Sequence, residues 1–205
     1  MPERSALSLS TVATELTLPE PAQKVQRLAR DAPAMSLFTN LGETRAISVL
    51  ATTQIDRALT RMIDTGVRFL FVVDADSRLV GSISSYDIAG EKPMRFLQQR
   101  GGHFGSASRS DVLVRDIMLP VDAWRVLDFS LARRATVGQV ADTIERTGQR
   151  HLVVVEPAAG GTSRAIVRGI FSATQIERAL GTSLDLEHTK QTFAEIEHAL
   201  EHHHD

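Results

Sequence analysis

The sequence predicts an α/β fold of the mixed-sheet, α+β kind, in which two β-α-β-β-α units follow one another. Three observations predict it. The first is a repeat: "TTQIDRALTRMIDTGVRFLFVVDADSRLVGSISSYDI" is answered by "ATVGQVADTIERTGQRHLVVVEPAAGGTSRAIVRGIFSATQI". The second is register. Gly66 and Gly148, like Leu70 and Leu152, stand 82 residues apart; Gly81 and Gly169, like Ser84 and Ser172, stand 88 apart. The third is periodicity, which changes from helical spacing to strand-length apolar runs in the same order in both copies. A unit that occurs twice buries its apolar face poorly alone, so the copies are expected to pack together, with function at their seam.

Residues 1–33, rich in Ser, Thr, Pro and Glu, read as a flexible arm with a short helix at Lys24–Arg30. The first repeat and its linker helix occupy 34–108. Ala46–Leu50 reads as a strand. Thr53, with Asp56 three residues on, reads as the cap of a helix whose apolar face is Ile55, Ala58, Leu59, Met62 and Ile63. Gly66 ends it, as a residue free to take positive φ. Phe69–Val73 is a buried strand, "DADSR" a turn and Leu79–Ile83 the returning strand; Tyr86–Ile88 opens another helix. Pro93 starts a linker helix at "PMRFLQQR", and "GGHFGSASRS" is flexible by composition.

The second repeat occupies 109–182. Thr136 and Gln139 form a capping box, Val137, Val140, Ala141 and Ile144 an apolar face, and Gly148 a stop. Leu152–Val155 and Ala165–Phe171 are its strands, joined by a longer turn. A helix between neighbouring strands favours a parallel crossover, and a short turn favours a hairpin. Each repeat is therefore expected to be a small mixed sheet with helices on one face. In 183–205, Phe193, Ile196 and Leu200 mark an amphipathic helix that docks on the body or on a second subunit, followed by a His-rich tail.

Composition narrows the function. At 205 residues, 42% hydrophobic and 23% charged, the chain suits a soluble protein that buries roughly 70% of its unfolded surface. A net charge of −2 excludes broad nucleic-acid binding, which needs a basic footprint. Without cysteine there is no disulfide, thiolate catalysis or cysteine-ligated metal. The apolar runs are far too short to span a bilayer, and the first residues lack a signal-type apolar core. No membrane association and a cytoplasmic location are expected.

The chemistry sits where each second strand meets a helix: Gly81-Ser82-Ile83-Ser84-Ser85-Tyr86-Asp87, and Gly169-Ile170-Phe171-Ser172-Ala173-Thr174-Gln175. A hydroxyl beside free N–H groups at a helix start seats a phosphate. A carboxylate three residues on suits a ribose diol instead. Arg68 in one copy, and Arg150 and His151 in the other, begin the preceding strands. Taken singly, Ser84 and Ser172 are ordinary helix caps, Asp87 a first-turn acid, and the arginines solvated strand ends. Recurrence in register favours a nucleotide site.

"TGVRFLFVVDADSRLVGSISSYDI", "VRDIML" and "TGQRHLVVVE…VRGIFSATQI" together resemble a tandem pair of cystathionine-β-synthase (CBS) domains, a Bateman module, over Ser36–Leu180. The resemblance implies two units packed sheet to sheet about a pseudo-twofold axis, two clefts, a homodimer, and an adenosine-containing regulatory ligand: AMP, ADP, ATP or S-adenosylmethionine. It assigns Ser84 to the phosphate side, Asp87 to the ribose, and Arg68 and Arg150 to phosphate. Adenine would lie near Val126, Leu127 and the backbone around Gln149. Phe71 and Val153 stand where the family often has Pro, and Gln175 replaces the second acid. Gln cannot clamp a diol as a carboxylate does. The second cleft, with His151, Ser172 and Gln175, is thus expected to be the weaker.

Other classes fare less well. His198 and His202, with Glu201, fit H-x-x-E-H, but at the chain's last turn they suit adventitious metal binding, not catalysis. No P-loop and no nucleophile–base–orienter set is present. The expectation is a non-enzyme without a cofactor that reads an adenosine ligand and signals to a separate protein. The alternative is a ligand-free dimerisation or docking module.

Overall fold

The computed structural model describes residues 27–101, 108–157 and 165–186. Two four-stranded mixed sheets form. In the first half, β2 (Ser48–Leu50) leads through α1 (Ile55–Thr65) to a parallel β3 (Phe69–Val73), and β4 (Leu79–Ser84) returns antiparallel into α2 (Ser85–Ala89). In the second half, β6 (Leu127–Asp128), the short α5 (Phe129–Ala132) and α6 (Val137–Thr147) lead to a parallel β7 (His151–Pro157). Then β8 (Ala165–Ser172) returns into α7 (Ala173–Leu180). The crossover and the hairpin fall as the sequence predicts.

The edge strands are exchanged, which the repeat pattern does not announce. β1 (Thr39–Asn40), ahead of the first repeat's sheet, pairs with β8 of the second. β5 (Leu119–Pro120), which follows α4 (Val114–Ile117), pairs with β4 of the first. The cores are exchanged likewise. Val112, Val114 and Ile117 pack with Ile55, Met62, Leu70, Val72, Ile83 and Ile88. Ala34, with Met35, Leu37 and Phe38, packs with Val137, Ile144, Leu152, Val154 and Phe171. Even the helix caps cross over: the Ile55 N–H donates to the Val112 carbonyl at 3.1 Å, and the Val137 N–H to Ala32 at 2.8 Å. The halves are thus interlocked.

Gly81 and Gly169 make the exchange sterically feasible. A Cβ on Gly81 would lie 2.6 Å from the Leu119 carbonyl oxygen, and one on Gly169 2.1 Å from that of Thr39. Only a glycine lets the foreign strand lie this close.

Local expectations hold where packing agrees with pattern. Gly66 and Gly148 both end helices in the left-handed region, at φ 69° and 63°. Thr136 and Gln139 form the capping box. Thr53 does not cap α1; Gln54 does, without a side-chain bond, because Gln54 bridges to Leu113 and Asp56 is drawn to Arg109 at 3.1 Å. Ile63 is 71% exposed. Eight residues past Ile55, it has rotated roughly 80° off the buried face. Arg27–Arg30 are not helical, since their backbone instead serves the body: Leu28 N–H donates to Ala179 and Arg30 carbonyl accepts from Gly138. α3 (Lys92–Gly101) forms the linker helix. The arm before Arg27, most of "GGHFGSASRS" and the C-terminal segment with Phe193, Ile196, Leu200, His198 and His202 lie outside the described residues.

Candidate ligand cleft

Strand alternation builds the seam. Leu70 and Val72 of β3 face one core and Leu152 and Val154 of β7 the other, so Phe69, Phe71, His151 and Val153 point from the opposite faces. There the rings of Phe69 and His151 pack together, tilted by 39° with centroids 4.9 Å apart, and Phe71 is edge-on to Phe69 at 5.1 Å. Beside them opens a cleft of about 590 Å³ with walls from both halves. The first half supplies Phe69, Ser82 and Ser84, then Tyr86 and Asp87 of α2, then Glu91, Lys92 and Arg95. Leu119, Trp124 and Arg125 close it from the segment between the sheets, and Gly148 to His151 with Val153 come from the second half.

Asp87 and Ser84 act as one unit. The Asp87 Oδ2 accepts the Ser84 N–H at 2.8 Å and the Ser84 hydroxyl at 2.6 Å, while the Ser84 Oγ accepts the Asp87 N–H at 3.3 Å. This reciprocal capping box fixes the carboxylate at the strand–helix junction. Its other oxygen, Oδ1, lies 2.6 Å from the Lys92 ammonium, which also donates to the Ile117 carbonyl at 3.3 Å. The hydroxyl and the acid, assigned to separate parts of a ligand by the resemblance, are bonded to each other here.

Tyr86 collects the two equivalent arginines. Arg150 stacks its guanidinium over the ring, 4.1 Å from the centroid, and Arg68 donates to the phenol oxygen at 3.5 Å. Arg150 lines the cleft; Arg68 reaches it only through Tyr86. His151 lines this same cleft. Burial pushes its pKa down to about 4, against the opposing pull of the Asp87 charge and with help from Arg150 and Arg68, so the imidazole is neutral at pH 7. Four cations and two carboxylates line the cleft, so it is locally basic in an acidic chain.

Several placements differ from the sequence reading. Val126 and Leu127 do not line the cleft: Leu127 packs into the second core, and Trp124 and Arg125 stand in their place. Trp124 is held by its indole N–H on the Leu119 carbonyl at 3.3 Å. Gln149 lines the wall, and its Oε1 is buried without a hydrogen-bond partner. His151 lines the Asp87 cleft while standing opposite Ser172 in the β7–β8 ladder. Ser172 caps α7 without a side-chain bond, and Gln175 is exposed. Lys92, Arg95, Trp124 and Arg125 were missed because they lie outside the repeated strings. The chain's single Trp, ahead of the second repeat's copied string, was the available signal. Among the described residues no cluster of three His, Asp or Glu suits a metal, and no helix is long and apolar enough to cross a membrane.

Residues 41–92 match the family model described as CBS domain. The second half repeats that unit's strand order, helix stops and strand–helix junction, so the fold is a tandem of two such units. The chain is similar to the solved structure of CBSX2 in complex with AMP, the Arabidopsis thaliana CBS-pair protein: 23% identity, covering 72% of this chain and 95% of that one, TM-score 0.46. It is also similar to a conserved protein of Pyrococcus horikoshii, at 18% identity, 74% and 94% coverage and TM-score 0.48. A CBS-domain containing protein of Agrobacterium tumefaciens stands at 18%, 68% and 88%, with TM-score 0.44. The comparison with curated proteins found no match.

Proposed function

We propose that this protein is a regulatory module that binds an adenosine-containing ligand in the Asp87 cleft and signals its occupancy to a separate protein. The observation that carries the reading is the junction itself: a carboxylate anchored by Ser84, in a locally basic cleft between two interlocked halves. Asp87 offers Oδ1 to a ribose diol, and Arg150 and Arg125 offer charge to phosphate. A ligand that touches both halves favours one arrangement of them, which is the physical basis for signalling. In this reading the module performs no reaction, needs no cofactor, works in the cytoplasm and pairs as a homodimer.

Thermal unfolding in the presence of adenosine, AMP, ADP, ATP and S-adenosylmethionine tests it. A ligand at a hundred times its dissociation constant adds about 2.7 kcal/mol, so the melting temperature rises for at least one of them. No shift with any member of the panel would reject the reading in favour of a docking module that takes no ligand.

A further inference from the structure

The cleft contains a feature that the repeats do not explain. Lys92 and Arg95 belong to α3, the linker helix that follows the first repeat, and both line the cleft. Lys92 lies 2.6 Å from Asp87 Oδ1, so the acid expected to hold the ribose is already ion-paired. Arg95 is held more loosely, 3.5 Å from Glu91. Arg125 and Arg150 face the same space from two other elements, and neither has an acid partner among the described residues.

We infer that α3 makes the Asp87 cleft selective for a nucleotide with an extended phosphate chain, a nucleoside di- or triphosphate, through Lys92 and Arg95. The inference rests on the adenosine reading above and deepens it. Its logic is an exchange of partners. When a ribose diol takes Asp87, Lys92 loses its counter-ion. A neutral nucleoside would leave that ammonium unpaired beside three arginines, and a cationic ligand such as S-adenosylmethionine would add to the repulsion. A phosphate chain supplies the counter-charge that Asp87 gives up. One phosphate group sits at a single point, whereas the four cations come from three separate elements. A chain of phosphates meets more of them than a single phosphate does within a cleft of about 590 Å³.

Isothermal titration of the full chain with adenosine, AMP, ADP, ATP and S-adenosylmethionine, repeated on Lys92→Ala and Arg95→Ala, tests this. The expected result is that ADP and ATP bind about tenfold or more tightly than AMP or adenosine, with an affinity that falls as salt is raised. Lys92→Ala narrows that gap, and it leaves adenosine binding equal or tighter because Asp87 is released. Both side chains are partly exposed, so neither substitution threatens the fold. Lys92→Arg should restore the preference. If adenosine, AMP and ATP bind alike, or S-adenosylmethionine binds as well as ATP, the phosphate-chain inference fails while the adenosine reading stands. If none binds, both fail.

Discussion

Phe69 and His151 occupy the same position in the two repeats, 82 residues apart, and their rings meet in a tilted contact at the seam, centroids 4.9 Å apart. The contact joins the halves and walls the cleft at once, and it makes their union sensitive to pH. His151 has its pKa lowered on folding from 6.5 to about 4, so the folded state holds fewer protons than the unfolded chain between those values. Stability from the neutral ring is therefore complete above pH 6.5 and is lost as pH falls toward 4. The loss is about 3 kcal/mol at most. Chemical denaturation of wild type and His151→Phe across this range should show the wild type losing more stability than the variant. Parallel curves would remove His151 as the cause.

Gly81 and Gly169 carry the second prediction. Their shared offset with the serines reads as part of a strand–helix motif, yet their structural use is to let a strand from the other half lie close. Alanine at Gly169 would meet the Thr39 carbonyl oxygen and the Phe38 ring at 2.1 and 2.4 Å; at Gly81 it would meet the Leu119 carbonyl oxygen at 2.6 Å. Both substitutions should destabilise by about 1–3 kcal/mol, Gly169→Ala the more. Urea midpoints in the opposite order would contradict the steric account.

Interlocking can be tested through Phe38. It precedes the first repeat's sheet, but its ring sits 5.2 Å from Phe171 and 6.0 Å from Phe129, both in the second half. Phe38→Ala should cost about 2–4 kcal/mol, somewhat below the range for a fully buried Phe. Amide exchange should accelerate in β7 and β8 before β3 and β4. If β3 and β4 respond first, the exchanged packing is wrong.

What the sequence revealed and what it hid follow one physical division. Local signals were legible because neighbours along the chain decide them: the αL glycines Gly66 and Gly148, the Thr136–Gln139 box, and the buried strands around Leu70 and Leu152. Features decided by distant chain were not. Gln54 rather than Thr53 caps α1 because Leu113 bridges to it from a segment 59 residues away. Ser84 and Asp87 were recognisable as a pair by spacing. The cation that occupies Asp87, however, comes from α3, which has no counterpart in the repeat pattern. Trp124 displaced Val126 and Leu127 from the expected wall for the same reason. Its position is set by the exchanged strand β5, whose Leu119 carbonyl holds its indole.

The two strand–helix junctions predict a count of ligands. At the first, Asp87 is anchored by both the N–H and the hydroxyl of Ser84 and faces a cleft with Tyr86 and Gln149. At the second, the corresponding residues are Gln175, Thr174 and Val67, by the offsets of 88 and 82. The amide of Gln175 has one acceptor oxygen and no charge, Thr174 offers no ring for an arginine to stack on, and Val67 offers no acceptor. Three differences of this kind act in the same direction, and a single charge-assisted hydrogen bond is worth about 1.5–3 kcal/mol, or roughly ten- to a hundredfold in affinity. Calorimetry should therefore find one strong equivalent per chain. Asp87→Asn keeps an oxygen for the Ser84 N–H, so the helix start should survive while affinity falls by about that factor. Two equal equivalents in the wild type, or undiminished binding in Asp87→Asn, would show that the acid at this junction does not grip the ligand.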